Sequence, residues 1–469
     1  MSLLSAFVSF DPVSNDHGFQ PGKIHRAVLL LSERKAAILF AMAAPKSSPP
    51  VDGGKVAWIA GLALWTRNFM WPGVLKGLGI MLPTIQDQLG AATWTMGWIS
   101  SLITVVAGIS GVFAGFLGRR FGMGFSIMIC GALISLSAIA TSYATSVVQL
   151  ACFCILLAGT GFGVSGVLAK EAVGRTFQTN YATATGWAQT GYNIGLFSFA
   201  PLVQLFLDTY GWRGAMLLMG GILLHFSACG ALMMTANIGT RNDYQQLKGG
   251  NDAAASEEAR SGLASCCGEF VKKASSNLDL GLLKDLRYWS IALMICNTKF
   301  ASGMIVIYFV SVAESNGLTV GEAASIVTIG GILSLVTKLI QGLLVDRGWI
   351  PAWCLMAIAI VFSTVSYCAT PWLTSYWPLV TTMCLILIGD GIISSLNDVL
   401  MKQLLGVELL AGAYGWIGIK IGLLAFSLGF FPGWLYDTTG SYTIALAVIG
   451  GIQFLPIIPL LLLRYFRYI

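Results

Sequence analysis

The chain has 469 residues, of which 56% are hydrophobic and only 10% charged, and its mean hydropathy is +0.77. So few polar side chains cannot cover a water-soluble globule of this size, so that class is excluded and an integral membrane protein is expected. The net charge of +6 then bears on topology rather than on nucleic acid, because the placement of basic residues sets orientation in a bilayer.

Residues 1–53 mix polar residues with short apolar pieces such as AVLLL and AAILFAMAA, which fall short of the roughly 20 residues a span requires. No cleavage site with suitable flanks is present, so the segment reads as a cytoplasmic, mostly disordered tail rather than a signal peptide. Apolar segments follow at 56–82, 96–117, 123–142, 146–169, 182–207 and 214–235. A polar central cytoplasmic loop at 237–286 separates them from six more at 288–312, 321–345, 351–370, 376–402, 409–435 and 442–463. The expected fold is an all-α membrane protein with twelve transmembrane helices in two six-helix bundles, 54–236 and 287–469. The 55 glycines suit helices that pack closely in lipid.

With the N-terminus inside, Arg119, Arg120, Lys170, Arg175, Arg347, Lys402, Arg464 and Arg467 fall on the cytoplasmic side. Asp87, Asp208, Glu314, Glu322 and Asp437 fall opposite, with Arg213 nearly alone among cations there. This asymmetry places both termini in the cytoplasm, and the expected residence is the plasma membrane. Most of the ten cysteines lie in apolar runs and read as small core residues, whereas Cys266-Cys267 in the polar loop is a candidate for S-palmitoylation.

The loop after the second span reads GFLGRRFG (Gly115 to Gly122) and the loop after the eighth reads GLLVDRG (Gly342 to Gly348). Such matching loops point to a duplicated six-helix unit. They resemble the signature G-x-x-x-D-R-x-G of the major facilitator superfamily. Gly115, Arg120 and Gly122 match in the first copy, where Arg119 occupies the acid position; Gly342, Asp346 and Arg347 match in the second. In the superfamily the acid pairs with neighbouring helix ends and stabilises one face of the alternating-access cycle, so the first copy departs at its latch.

Within that superfamily the chain is similar to the monocarboxylate transporters from Pro49 to about Tyr442. PVDGG (Pro50 to Gly54), Trp98-Ile99-Ser100-Ser101, YGWRGAMLLMGG (Tyr210 to Gly221) and the small residues Gly186, Ala188, Gly191 and Gly195 carry the resemblance. Lys55-Val56-Ala57 departs from the family's aromatic start, and Thr179-Asn180-Tyr181 replaces its basic cluster. Lys76 falls on the position of a first-helix lysine implicated in capturing a substrate carboxylate, and Lys338 on that of an eighth-helix arginine. The aspartate one turn before that arginine, which carries the coupled proton, is Ser334 here. Lys338 and Lys420 together also resemble the paired cations of oxalate/formate antiporters.

Charged side chains inside spans cost about 2.5–3.5 kcal/mol each on the insertion scale, so they face a cavity or a partner. Lys76 reads either as an anion contact or as a snorkelling residue near the outer interface. Arg67 lies nine residues earlier, on the opposite face of an unbroken helix, so that only a break at Pro72-Gly73 turns both into one cavity; a structural and a substrate role stay open for it. Lys299 and Lys420 sit near mid-depth, and Asp390 (LIGDGIISS) is expected either to pair with a lysine or to carry the proton. Lys299, Lys338 and Lys420 against the single Asp390 leave a positive surplus at the midplane, which an anion offsets.

The expected function is secondary active or facilitative transport of small organic anions, monocarboxylates, by alternating access. The alternatives are a dicarboxylate or oxalate-type exchanger, an amino-acid carrier in which Asp390 holds the ammonium, and a non-transporting receptor or scaffold. The implied partners are a small organic carboxylate, a proton or exchanged anion, the lipid bilayer and a single-span accessory subunit, with no nucleic acid. Neither a metal-ligand cluster nor a nucleophile elbow nor a phosphate loop is legible, and the histidines are His17, His25 and His225. No enzyme activity, metal or cofactor is therefore expected.

Overall fold

Helix α1 starts directly after Gly54 and ends where Gly90 turns left-handed (φ 64°) and returns its N–H to Gln86 O, so it spans Lys55–Leu89. This computed structural model describes residues 54–90, 93–239, 279–429 and 431–468. The expected tail at 1–53 and most of the central loop lie outside the described residues, together with His17, His25, Cys266 and Cys267. The next helices are α2 (Thr93–Val112), α3 (Ala114–Phe121), α4 (Met123–Ser142) and α5 (Val147–Cys152), the last continued by a π-helical turn, Phe153–Ala158, and α6 (Gly159–Thr176). The π turn frees a carbonyl, and Ser137 Oγ donates to Phe153 O at 2.9 Å. Helix α7 covers Tyr181–Thr235 and folds back at Gly211, whose φ of 67° few other residues tolerate.

A short 3-10 turn, Leu280–Lys284, leads into α8 (Leu286–Ser315), followed by α9 (Val320–Asp346), α10 (Ala352–Ala369), α11 (Tyr376–Leu405), α12 (Leu410–Leu428), α13 (Phe431–Thr439), α14 (Thr443–Phe454) and α15 (Ile457–Tyr465). Helix α9 opens with a capping box, in which Thr319 and Glu322 satisfy each other's backbone N–H. Among the described residues nine helices are long and apolar enough to cross a bilayer, and α2 with α3, bent by 49°, supplies a tenth. The 55 residues of α7 are twice what a crossing needs, and α1 has 35 despite its charges. The expected twelve crossings are consistent with this arrangement, and no strand occurs among the described residues.

The expected break at Pro72-Gly73 is not made. Helix α1 runs unbroken through both prolines, and Pro72 packs beside Gly195 of α7. Arg67 and Lys76 therefore stay on different faces.

The described residues belong to one compact unit. Helix α1 packs along α7, α4 along α7, and α9 and α10 along α11. The first and second sets of helices meet along two seams, α2 against α12 and α7 against α9. Both are lined by glycine at the points of closest approach. A Cβ on Gly108 would come within 2.3 Å of Gly418 O, one on Gly186 within 2.3 Å of Lys338 O and one on Gly342 within 2.6 Å of Thr183 Cα. Lipid offers no hydrophobic drive for helix association, so such backbone contact supplies the dispersion energy instead.

Within the first set, a Cβ on Gly195 would meet Phe69 O at 2.1 Å and Pro72 Cγ at 3.0 Å. Gly195→Val is expected to force α1 from α7 at an overpacking cost of about 1–3 kcal/mol, read as a lower unfolding temperature in detergent. An unchanged temperature would show that the contact is not needed.

Candidate functional site

Antiparallel crossing puts the ends of α3, α6, α9 and α11 beside the starts of α4, α7, α8 and α12, and this end carries Arg119, Arg120, Arg175, Arg347 and Lys402. Several polar contacts join the two sets of helices here. Asp346, at the end of α9, accepts from Ala182 N at 3.1 Å and Thr183 N at 2.7 Å, so its charge rests on the positive end of α7. Gly342, one turn earlier, allows that approach, and Arg347 lies exposed over the Trp349 ring at 5.5 Å.

The first copy of the motif makes the corresponding closure with its charges exchanged. Arg119 stands 3.6 Å from Asp279, and Asp279 leans over the first turn of α12, where a Cβ on Gly412 would come within 2.6 Å of its Oδ2. The acid is thus supplied by the segment leading into α8. Burial pushes the Asp279 carboxyl up from its ordinary value, and the Arg119 guanidinium beside it pulls it back. Gly115 packs against Ala411 of α12, Arg120 is exposed, and Gly122 adopts a φ of 89° between α3 and α4.

Deeper in, Lys170 of α6 donates to Asp398 Oδ1 of α11 at 2.8 Å, and its Nζ lies 4.3 Å from the centre of the Tyr414 ring. Asp398 is 2% exposed and also accepts from Tyr414 Oη at 2.8 Å and from Gln189 Nε2 at 3.2 Å. Lys402 bonds Phe177 O and lies over the Tyr181 ring.

At mid-depth, Lys338 of α9 is 3% exposed and donates across the seam to Asn193 Oδ1 of α7 at 2.8 Å, while Asn193 Nδ2 donates to Gly331 O at 3.0 Å. Lys299 of α8 is exposed and within electrostatic reach of both Lys170 and Lys338. Half-buried Asp390 of α11 accepts from Ser302 Oγ of α8, and its charge reaches Lys338 and, from α7, Tyr192. The expected ion pair between Asp390 and a lysine is not formed within 4.0 Å among the described residues, since Lys338 turns to Asn193.

Arg67 of α1 leans on α6, donating to Asn68 Oδ1 at 3.3 Å and to Phe162 O at 3.4 Å. It too has no carboxylate within 4.0 Å among the described residues, and its charge reaches Lys170. Lys76 is exposed, with no hydrogen-bond or ion-pair partner among the described residues. Lys420 is drawn elsewhere: it bonds Tyr288 Oη and lies 4.3 Å from the centres of the Tyr288 and Trp289 rings. Arg67, Lys170, Lys299, Lys338 and Asp390 are thus linked by electrostatic reach, whereas Lys420 sits in an aromatic recess of α8. An apolar cavity within the first set, walled by Gly73, Gly77, Ile134, Cys154, Met216 and Met219, presents no polar surface and lacks the means to hold a charge.

Sequence reasoning missed Lys170, Asp398, Asn193, Gln189, Tyr414, Ser302 and Asp279. Lys170 and Asp398 were detectable as opposite charges in apolar surroundings, but the fourth span extends to Thr176 rather than ending at 169, so Lys170 passed for a loop residue.

Removing one partner of the Lys170–Asp398 pair strands the other charge in a buried setting. Asp398→Ala or Lys170→Ala is expected to cost about 3–5 kcal/mol, visible as a large drop in unfolding temperature. The double variant Lys170→Met/Asp398→Leu should recover most of it, and equal loss in single and double variants would contradict the account.

The profile of the Major Facilitator Superfamily matches residues 57–429. Monocarboxylate transporter 12 of Mus musculus is 27% identical, over 86% of this chain and 84% of that protein. Monocarboxylate transporter 14 of Homo sapiens is 27% identical, over 88% and 92% respectively. Among solved structures, that of the proton:xylose symporter XylE bound to 6-bromo-6-deoxy-D-glucose has a TM-score of 0.67 at 14% identity, covering 87% of this chain and 95% of that one. At that identity the likeness bears on the fold alone.

Proposed function

The chain belongs to the Major Facilitator Superfamily, and from that premise we propose that it carries small organic anions, monocarboxylates, across the plasma membrane by alternating access, with the basic end and both termini in the cytoplasm. The observation that carries this reading is a set of cations without carboxylate partners within 4.0 Å among the described residues: Lys338, buried on the seam between the two sets, Lys299 within electrostatic reach of it, and Arg67 between α1 and α6 of the first set. Ions left unpaired in a low-dielectric interior are costly, and an anionic substrate offsets that cost. The names of the monocarboxylate transporters it resembles support the same substrate class. Exposed Lys76 would meet the anion on its way in, and the contacts of Asp346, Asp279 and Lys170 would hold the cytoplasmic end shut in this conformation.

Asp390 supports a second reading, transport of a zwitterion whose ammonium it holds, because no lysine or arginine neutralises it within 4.0 Å among the described residues. In the leading reading the same carboxylate takes up the coupled proton that Ser334 cannot carry.

Purified protein in liposomes, offered radiolabelled lactate, pyruvate, oxalate and aromatic amino acids at several pH values, tests both readings. Uptake of a monocarboxylate, lowered roughly tenfold or more by Lys338→Ala, is the expected result. Uptake of amino acids alone favours the second reading, and no uptake of any of these solutes contradicts both. Asp390→Asn should flatten the pH dependence of net uptake while sparing exchange; an unaltered pH profile removes the proton role.

A further inference from the structure

Lys338 is closed into the seam between α7 and α9. An ammonium offers three N–H donors, and among the described residues one bond is made, to Asn193 Oδ1 of α7 at 2.8 Å. Lys338 is 3% and Asn193 7% exposed, while Asp390 and Lys299 act on the ammonium through charge at longer range. A buried cation held by one neutral acceptor keeps much of its desolvation cost.

The orientation of Asn193 is set from both sides by α9. Its Nδ2 donates to Gly331 O at 3.0 Å and its Oδ1 faces the ammonium, so turning the amide over would set donor against donor and acceptor against acceptor. Gly331 and Lys338 are two turns apart on one face of α9. Backbone contact closes the same stripe: a Cβ on Gly186 would come within 2.3 Å of Lys338 O, and one on Gly331 within 2.4 Å of Phe197 Cζ. Helix α11 comes close to the lysine at Gly391, where a Cβ would stand 3.4 Å from Lys338 Cγ. The stem thus lies between α7 and α11, and the bond to Asn193 draws its charged end toward α7 and away from Asp390.

We propose that Asn193 is the positioning residue for Lys338, a neutral acceptor that holds the ammonium in the seam while no anion is bound and gives it up when α7 and α9 part. This rests on the organic-anion reading, in which Lys338 meets the substrate, and adds to it what the lysine does while the seam is closed. An acid at this position would keep the ammonium as an ion pair, and an apolar residue would leave it without a partner. A carboxamide lies between, strong enough to order the lysine and weak enough for a carboxylate to compete. Because the bond crosses the seam, the anion and the closed seam compete for one ammonium. Anion binding therefore favours the conformation in which this seam is open.

The test uses the full chain in liposomes, with KM for whichever of lactate, pyruvate and oxalate the wild type transports best, and the rise in unfolding temperature that these carboxylates produce in detergent. Asn193→Asp, nearly the same in shape, captures the ammonium and is expected to raise KM roughly tenfold or more. Asn193→Leu frees the ammonium and is expected to lower KM roughly threefold or more. If Asn193→Leu does not fold, Asn193→Ala takes its place with the same expectation. A residue that only packs the seam would move the unfolding temperature without driving KM in opposite directions. Unchanged KM in both variants, or a change of the same sign in both, overturns the proposal while leaving anion transport intact. A wild type that is stabilised by a carboxylate it does not move overturns the transport reading. In that case, opposite shifts in the carboxylate concentration giving half the stabilisation uphold the role of Asn193, and like or absent shifts overturn it. A wild type that is neither stabilised by nor transports a carboxylate overturns both.

Discussion

The pair formed by Lys170 and Asp398 ties α6 to α11 inside the protein, at 2.8 Å, with the carboxylate 2% exposed. Asp398 has given up water while the Lys170 side chain keeps 24% of its exposure, and the attraction offsets the carboxylate's loss only while the geometry holds and its remaining lone pairs are filled. Tyr414 and Gln189 fill them, one from each set of helices, so four helices answer to one carboxylate. Parting α6 from α11 here would separate the ions and rehydrate the carboxylate, so the pair fixes these two helices against each other.

The rest of the interface is built so that this contact forms without competition. Glycines on α2, α7, α9 and α12 let backbones touch, which fixes the relative height of the helices through shape. Charges are then added to a framework already in register: Asp346 meets the start of α7, and Lys338 reaches Asn193. Lys338, Lys299 and Arg67 are left without a carboxylate within 4.0 Å among the described residues. Structural polarity is thus concentrated toward one end and unsatisfied polarity toward the middle.

Much of this was legible in the sequence because hydrophobic length and basic asymmetry are strong, local signals. The approximate helix positions, the reversal near Gly211 and the likeness of the two loops follow from residues a few positions apart, while helix ends such as Leu89 and Thr176 lie beyond the expected spans. The site was legible only as a set of out-of-place charges. Lys338 and Asp390 were recognisable as unusual, but whether they pair depends on Asn193 and Ser302, which look ordinary in their own helices. Lys420 was equally conspicuous and yet is absorbed by Tyr288 and Trp289, because a long flexible side chain finds whichever aromatic face lies near. Pro72-Gly73 promised a break, yet α1 runs straight through, with Pro72 packed beside Gly195 of a distant stretch of chain. These misses concern partners remote in sequence, about which periodicity carries no information, whereas Lys170 escaped notice because its helix runs past residue 169 to Thr176.

The two closures at the basic end look alike in outline but differ in what holds them. Asp346 meets backbone N–H groups at a helix start, a short contact between an ion and fixed dipoles. Arg119 and Asp279 form a looser ion pair at 3.6 Å whose side chains retain 27% and 16% of their exposure. Dissolved salt screens exposed ion pairs over a distance of about 8 Å at physiological strength and affects short, desolvated bonds much less. Rising ionic strength would thus weaken the contact of Arg119 with Asp279 before that of Asp346 with α7, so the two seams differ in their sensitivity to salt.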